Sequence, residues 1–236
     1  MEVMLVSSDL TRVLFAWLTW IAVTLGVFFI LAAVLPGLPP MLASLWIIAV
    51  VSVLLAGGIT ALGWWRDVGF TAFRDWRQTG WIALPGLLTL LPLVAGIKPI
   101  DPSTYGLLVA GYALTGFAEE TMFRGLLVKL LDRRSPMMIA TITAVLFGLV
   151  HLSNILIRGN PAVIVAQAVG AAAFGFGYAA IRQRTNTVIP LIVTHMLTDL
   201  FLQMGNLPLI PVAVVQDVIL LGAGLYLLRD MSGRRE

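Results

Sequence analysis

Between Val13 and Leu35 the chain runs for about 23 residues without a charged side chain. A helix crosses roughly 30 Å of hydrocarbon with about 20 apolar residues, so this run reads as a membrane span. Seven further runs read the same way, some only when embedded polar residues are allowed: 41–64, 80–97, 103–131, 137–152, 160–181, 187–204 and 209–228. Composition agrees, with 59% hydrophobic and 11% charged residues against about 45–50% and about 25% in soluble domains. A water-facing enzyme and a disordered chain are both excluded. There is no cysteine, which removes disulfides, thiolate metal ligands and cysteine nucleophiles. The expected fold is an all-α, polytopic membrane helix bundle of about eight spans, forming a single integral membrane domain over 1–236.

The breaks between runs have recognisable chemistry. Pro36-Gly37-Leu38-Pro39-Pro40, Lys98-Pro99, Ser135-Pro136, Gly159-Asn160-Pro161 and Gly205-Asn206-Leu207-Pro208 interrupt or start helices. Their shortness favours antiparallel neighbours. The first run is too long for a signal core of roughly 7–15 residues and reads as a retained helix. Charge tests the layout independently. With the N-terminus in the cytoplasm, twelve of the 15 Lys and Arg residues fall inside: Arg12, Arg66, Arg74, Arg77, Lys129, Arg133, Arg134, Arg182, Arg184, Arg229, Arg234 and Arg235. Lys98 and Arg158 fall outside and Arg124 lies within a helix. This is the positive-inside pattern, and it puts both termini in the cytoplasm. Segment 65–79, with Trp65, Arg66, Phe70, Phe73, Arg74, Trp76 and Arg77, reads as an amphipathic piece on the inner surface or as an ordinary basic loop.

Ionisable groups inside hydrocarbon cost at least about 2.5–3.5 kcal/mol each, so they need a partner or a task. Here they are Glu119, Glu120 and Arg124 in the fourth run, His151 in the fifth, His195 and Asp199 in the seventh and Asp217 in the eighth. Glu120 and Arg124 are four apart and share a helix face, so they can pair. Glu119 points about 100° away and is free to face a cavity. Phe147 and His151, and His195 and Asp199, are also four apart. Counted from the helix ends, Glu119, His151 and His195 lie at comparable depth, a candidate site for activating water. A His–Asp pair alone is ordinary structural glue, and Asp217 beside Gln216 reads as a helix contact. The Gly170–Gly177 stretch supplies small residues for close helix packing. There is no His-Glu-x-x-His helix and no Gly-x-Ser-x-Gly elbow.

Three stretches resemble one family. Glu119-Glu120-Thr-Met-Phe-Arg124 is similar to a Glu-Glu-x-x-x-Arg motif, Phe147-Gly-Leu-Val-His151 to Phe-x-x-x-His, and His195-Met-Leu-Thr-Asp199 to His-x-x-x-Asn or Asp. These are the motifs of the CPBP family, the CAAX proteases and bacteriocin-processing enzymes also called Abi proteins. The core of the resemblance covers 103–204. It implies an intramembrane endopeptidase similar to the type II CAAX prenyl endopeptidases. In that reading Glu119 activates water with His151 assisting, His195 and Asp199 orient the scissile carbonyl or stabilise its oxyanion, and Glu120 and Arg124 brace the site. The resemblance also implies zinc, for which Glu119, His151 and His195 are the candidate ligands, while a metal-free glutamate mechanism fits the same residues. Asp199 stands where prenyl proteases tend to carry Asn. An ionised carboxylate donates no hydrogen bond, so Asp199 suits orienting His195 better than holding an oxyanion.

The leading expectation is therefore a peptidase of a prokaryotic cell membrane, acting on a peptide or protein substrate, lipidated or plain, within the bilayer. No nucleic-acid partner is expected, and the sequence assigns no oligomeric state. Two other classes compete: a non-catalytic membrane scaffold or bacteriocin-immunity protein that keeps the motifs as polar packing, and a proton-coupled transporter using Glu119 and the histidines as a relay.

Overall fold

Proline and short polar side chains set the helix boundaries. In the computed structural model, which describes residues 2–73, 76–158 and 160–233, the helices are α1 (Glu2–Val34), α2 (Pro40–Leu62), α3 (Thr79–Leu88), α4 (Pro102–Glu119), α5 (Leu127–Leu130), α6 (Pro136–Val150), α7 (Ile155–Arg158), α8 (Pro161–Thr185), α9 (Ile189–Met204) and α10 (Leu209–Gly233). Arg74, Gly159, Arg234 and Arg235 lie outside the described residues, as do the side chains of Trp76 and Arg158. Pro40, Pro102, Pro136, Pro161 and Pro190 each sit in a first helical turn, where the missing N–H costs nothing. Asp101, Ser135 and Asn160 cap α4, α6 and α8 by accepting from the N–H groups of Thr104, Met138 and Val163. Asn186 ends α8 in the left-handed region at φ 57°, a conformation its short amide tolerates.

The described residues are mostly helical and form no strand, only an isolated bridge between Ile97 and Gly205. An all-α membrane bundle is the fold. Five helices are long and apolar enough to cross a bilayer: Asp9–Val34, Pro40–Leu62, Pro136–Asn154, Pro161–Thr185 and Leu209–Met231. Thr79–Leu93 and Ile189–Met204 are apolar but shorter. The expected run 80–97 is not one helix. α3 stops at Leu88, a 3-10 turn covers Leu91–Leu93 around Pro92, and Thr89 turns its hydroxyl back to the Gly86 carbonyl. Proline at position 92 cannot supply the N–H that a continuing α-helix needs. Segment 65–79 also departs from an amphipathic helix. Its described part is turns and irregular chain as far as Phe73 and a 3-10 turn at Trp76–Gln78 that leads into α3, with Val68 fully buried against Gly125.

Burial separates centre from periphery. The apolar window of α8 is 56% buried within the protein, that of α1 only 11%. The remaining surface of α1 is apolar and suits lipid rather than water. α8 packs between α6 and α10, while α4 packs against α2 and α9. Small residues permit these approaches: a Cβ on Gly177 would stand 2.5 Å from the Leu220 carbonyl, one on Gly148 2.6 Å from that of Ala168, and one on Gly116 2.7 Å from that of Ile192. One end of the bundle gathers the basic residues through Arg134–Asp9, Arg184–Asp230 and Lys129–Asp67 ion pairs. The other end is tied by Asn206, whose amide donates to Ala95, and by the Lys98 N–H, which donates to Met204.

Candidate active site

Glu119 is the last residue of α4, and from Glu120 to Leu126 the helix widens into a π-helix before resuming as α5. π-segments are rare and recur at functional sites. This one holds Glu120, Thr121, Met122, Phe123, Arg124 and Gly125 in the protein interior. Arg124 Nη1 lies 3.1 Å from Glu120 Oε1, with both side chains shut off from solvent. The pair expected from the four-residue spacing is therefore present, and each charge offsets the other where neither could stand alone.

Glu120 has a second partner. His195 of α9 directs Nδ1 to Glu120 Oε1 at 2.7 Å. Because the carboxylate accepts, Nδ1 carries the proton and Nε2 is aimed away from Glu120. Nε2 faces two other carboxylates, Glu119 Oε2 and Asp199 Oδ2, each at 3.7 Å. That separation is too long for direct hydrogen bonds and suits a molecule held between them. Exposure ranks the acids by access: the Glu120 side chain is 0% exposed, that of Glu119 17% and that of Asp199 30%. Glu119 and Asp199 line the accessible side of His195, and Glu120 anchors its hidden side.

His151 begins a 3-10 turn that follows α6. Its Nδ1 donates to the Phe147 carbonyl at 2.7 Å, which leaves Nε2 as the lone-pair nitrogen. The Phe147 ring meets both imidazoles edge-on, at 4.7 Å from His151 and 6.2 Å from His195, and the Arg124 guanidinium stands 4.1 Å from its centre. The expected zinc ligands do not form a metal-binding group. Among the described residues no three His, Asp or Glu side chains are placed to hold an ion. His195 Nε2 and Glu119 Oε2 lie 3.7 Å apart, and the Phe147 ring touches both imidazoles.

Sequence reasoning passed over the wall behind His195. Phe174 stacks on Tyr178 at 4.0 Å, and both rings pack against His195. The buried Tyr178 hydroxyl donates to Thr194 Oγ1 at 2.9 Å, tying α8 to the residue beside His195. These two aromatics sit four apart within and just beyond the Gly170–Gly177 stretch, a spacing that could have marked a face turned to the site. Gly175, in the same stretch, makes room for Arg124: a Cβ there would come within 2.9 Å of Nη2. Asp217 stands apart, its carboxylate against Gly170, and the neighbouring Gln216 donates to the Leu88 carbonyl. Outside the spans, Asp101 accepts from the Ser103 hydroxyl and the Thr104 N–H, which hold its carboxyl well below the usual range.

Fold and site together define a helical membrane protein with carboxylates and an imidazole gathered at a π-helix inside the bundle. Residues 101–201 match the family described as type II CAAX prenyl endopeptidase Rce1-like. This segment, which starts at the α4 cap and ends beyond Asp199, is similar to that CAAX-protease-like family and spans all three motifs. No curated protein and no solved structure matches the chain.

Proposed function

We propose that this chain is an intramembrane endopeptidase that hydrolyses a peptide bond near a substrate terminus with water activated by Glu119. The observation that carries the reading is the placement of Glu119 and Asp199, each 3.7 Å from His195 Nε2, while Glu120 holds the opposite ring nitrogen. Water between Glu119 and His195 can lose its proton to the Glu119 carboxylate as its oxygen attacks the carbonyl carbon. The charge that develops on the carbonyl oxygen is met by the Nε2–H of protonated His195. When the C–N bond breaks, the proton held by Glu119 passes to the leaving amine. Asp199 orients His195, and His151 presents its second nitrogen to the substrate. Arg124 balances the buried charge of Glu120 and so holds the carboxylate that anchors His195.

The substrate is a peptide or protein that enters from the bilayer, and a lipidated C-terminal peptide is the first class to test. Purified protein in detergent is incubated with prenylated and plain peptides beside Glu119→Gln, and products are read by mass spectrometry. The expected result is cleavage by the wild type and a loss of about 10²–10⁴-fold in the variant, the usual contribution of a general base. Equal cleavage by both would overturn the assignment of Glu119. The scaffold reading takes support from the complete burial of Glu120 and Arg124, as in a polar packing core. It predicts that Glu119→Gln leaves the cellular phenotype intact.

A further inference from the structure

At the basic end of the bundle a cavity of about 390 Å³ opens between the turn after α2, the end of α5 and the connection that follows it, the start of α6 and the ends of α8 and α10. Its size falls in the range of about 300–1,000 Å³ typical of ligand pockets. It shares no lining residue with the carboxylate–imidazole cluster, and nothing in the proposed peptidase chemistry uses it.

The charge of the wall is uneven. Lys129, Arg133, Arg134 and Arg182 line it, against the carboxylates of Asp67 and Asp132. One carboxylate is engaged, since Asp67 lies 3.1 Å from Lys129. Arg134 meets Asp9, from outside this lining, at the longer distance of 3.9 Å. The lining therefore carries an excess of two positive charges, four cations against two anions.

Arg182 gives the wall its built character. It is only 4% exposed, and its Nη1 donates to the Asn186 side chain at 3.0 Å. Its guanidinium lies over Gly69, where a Cβ would come within 2.5 Å of Nη2. Gly69 has φ +100°, a backbone state L side chains rarely adopt, so this turn is shaped to let the guanidinium in. A guanidinium held by packing has lost its rotamer freedom before any ligand arrives, and its planar fork matches the oxygens of a phosphate. α6 begins at the same wall with Pro136, so the positive end of a helix dipole adds to the field.

We propose that this cavity binds a phosphate-bearing anion at the membrane surface. Basic pockets between helices at the cytoplasmic surface suit anionic headgroups, and three arginines on two separate elements can engage several phosphate oxygens together. The phosphate can come from a phospholipid headgroup or from free phosphate in water.

The test is thermal unfolding of the whole protein in an uncharged detergent. Phosphatidylglycerol, phosphatidylcholine and inorganic phosphate are added separately, to the wild type and to Arg133→Gln, Arg182→Gln and Arg229→Gln. The expected result is a rise of several degrees with phosphatidylglycerol, absent with phosphatidylcholine, whose choline cancels the headgroup charge. Arg133→Gln loses that rise, and Arg229→Gln, an exposed arginine outside the cavity, keeps it. A rise with inorganic phosphate alone, again lost in Arg133→Gln, assigns the site to free phosphate. Arg133 is exposed, so its variant keeps the test valid where Arg182→Gln fails to fold. Equal rises with both lipids, no rise with any addition, or a rise that survives both cavity variants would overturn the proposal.

Discussion

Glu120 does two things at once that no other residue here does: it neutralises Arg124 and fixes the hidden nitrogen of His195. Glu120→Gln keeps the shape but leaves a buried guanidinium without its anion. Breaking a buried pair from one side costs about 3–5 kcal/mol, so a large fall in the unfolding midpoint in detergent is expected. An unchanged midpoint would mean that Arg124 finds its charge balance elsewhere. Tyr178→Phe is the contrasting case. It removes the hydroxyl that donates to Thr194, yet Thr194 Oγ1 still donates to the Pro190 carbonyl. No buried donor is stranded, and the cost should be only about 0.5–1.5 kcal/mol, the net worth of one hydrogen bond. A loss as large as that of Glu120→Gln would show that the hydroxyl does more than tie α8 to α9. The residue types and the four-residue spacings made these partners of Arg124, His151 and His195 legible in advance. The link from Glu120 to His195 was not, because it joins two helices 75 positions apart in the chain, and spacing within one helix carries no information about which faces meet.

At the scale of elements, helix ends were readable and helix interiors less so. Proline in a first turn and an Asx or serine cap are local signals, and α4, α6 and α8 begin where those residues place them. The early end of α3 follows from Pro92, a local signal that an apolar-run reading passes over, while the π-helix after Glu119 depends on how the chain packs. The turns around Val68 and Gly69 have a basic and aromatic composition that points to the inner membrane surface or an ordinary loop. In the structure they fill the space under Gly125 and Arg182. Gly175 shows how a small residue read as generic packing can be specific to the site. Its Cβ position lies 2.9 Å from Arg124 and 3.0 Å from Phe147, both fixed by their own contacts. Gly175→Ala should therefore cost about 1–3 kcal/mol of stability through overpacking and lower peptide cleavage with it. Gly57→Ala on α2 is the matched control, since nothing lies within 4 Å of its Cβ position. Equal effects of the two substitutions would remove Arg124 as the reason for a glycine at 175.

The arrangement of the whole molecule in the membrane follows from which ends of the helices meet. Ion pairs draw the start of α1 to the connection after α5, and the end of α8 to the end of α10. Gln183 near the end of α8 donates to the Pro136 carbonyl at the start of α6. Arg12, Arg133 and Arg229 thus belong to one end, whereas Lys98 sits at the other, beside the bridge of Ile97 and Gly205. The positive-inside rule assigns the arginine-rich end to the cytoplasm. The chain contains no cysteine, so a single introduced thiol reports alone. Arg12, Lys98 and Arg229 are all exposed, and replacing each in turn by cysteine disturbs no buried contact. With intact cells, a membrane-impermeant maleimide should label Lys98→Cys, and it should reach Arg12→Cys and Arg229→Cys only after permeabilisation. Labelling of Arg12→Cys and Arg229→Cys from opposite sides would break the shared end that the ion pairs build. Labelling of both from outside would keep the bundle but invert it, placing the basic cavity and its proposed phosphate site on the outer surface.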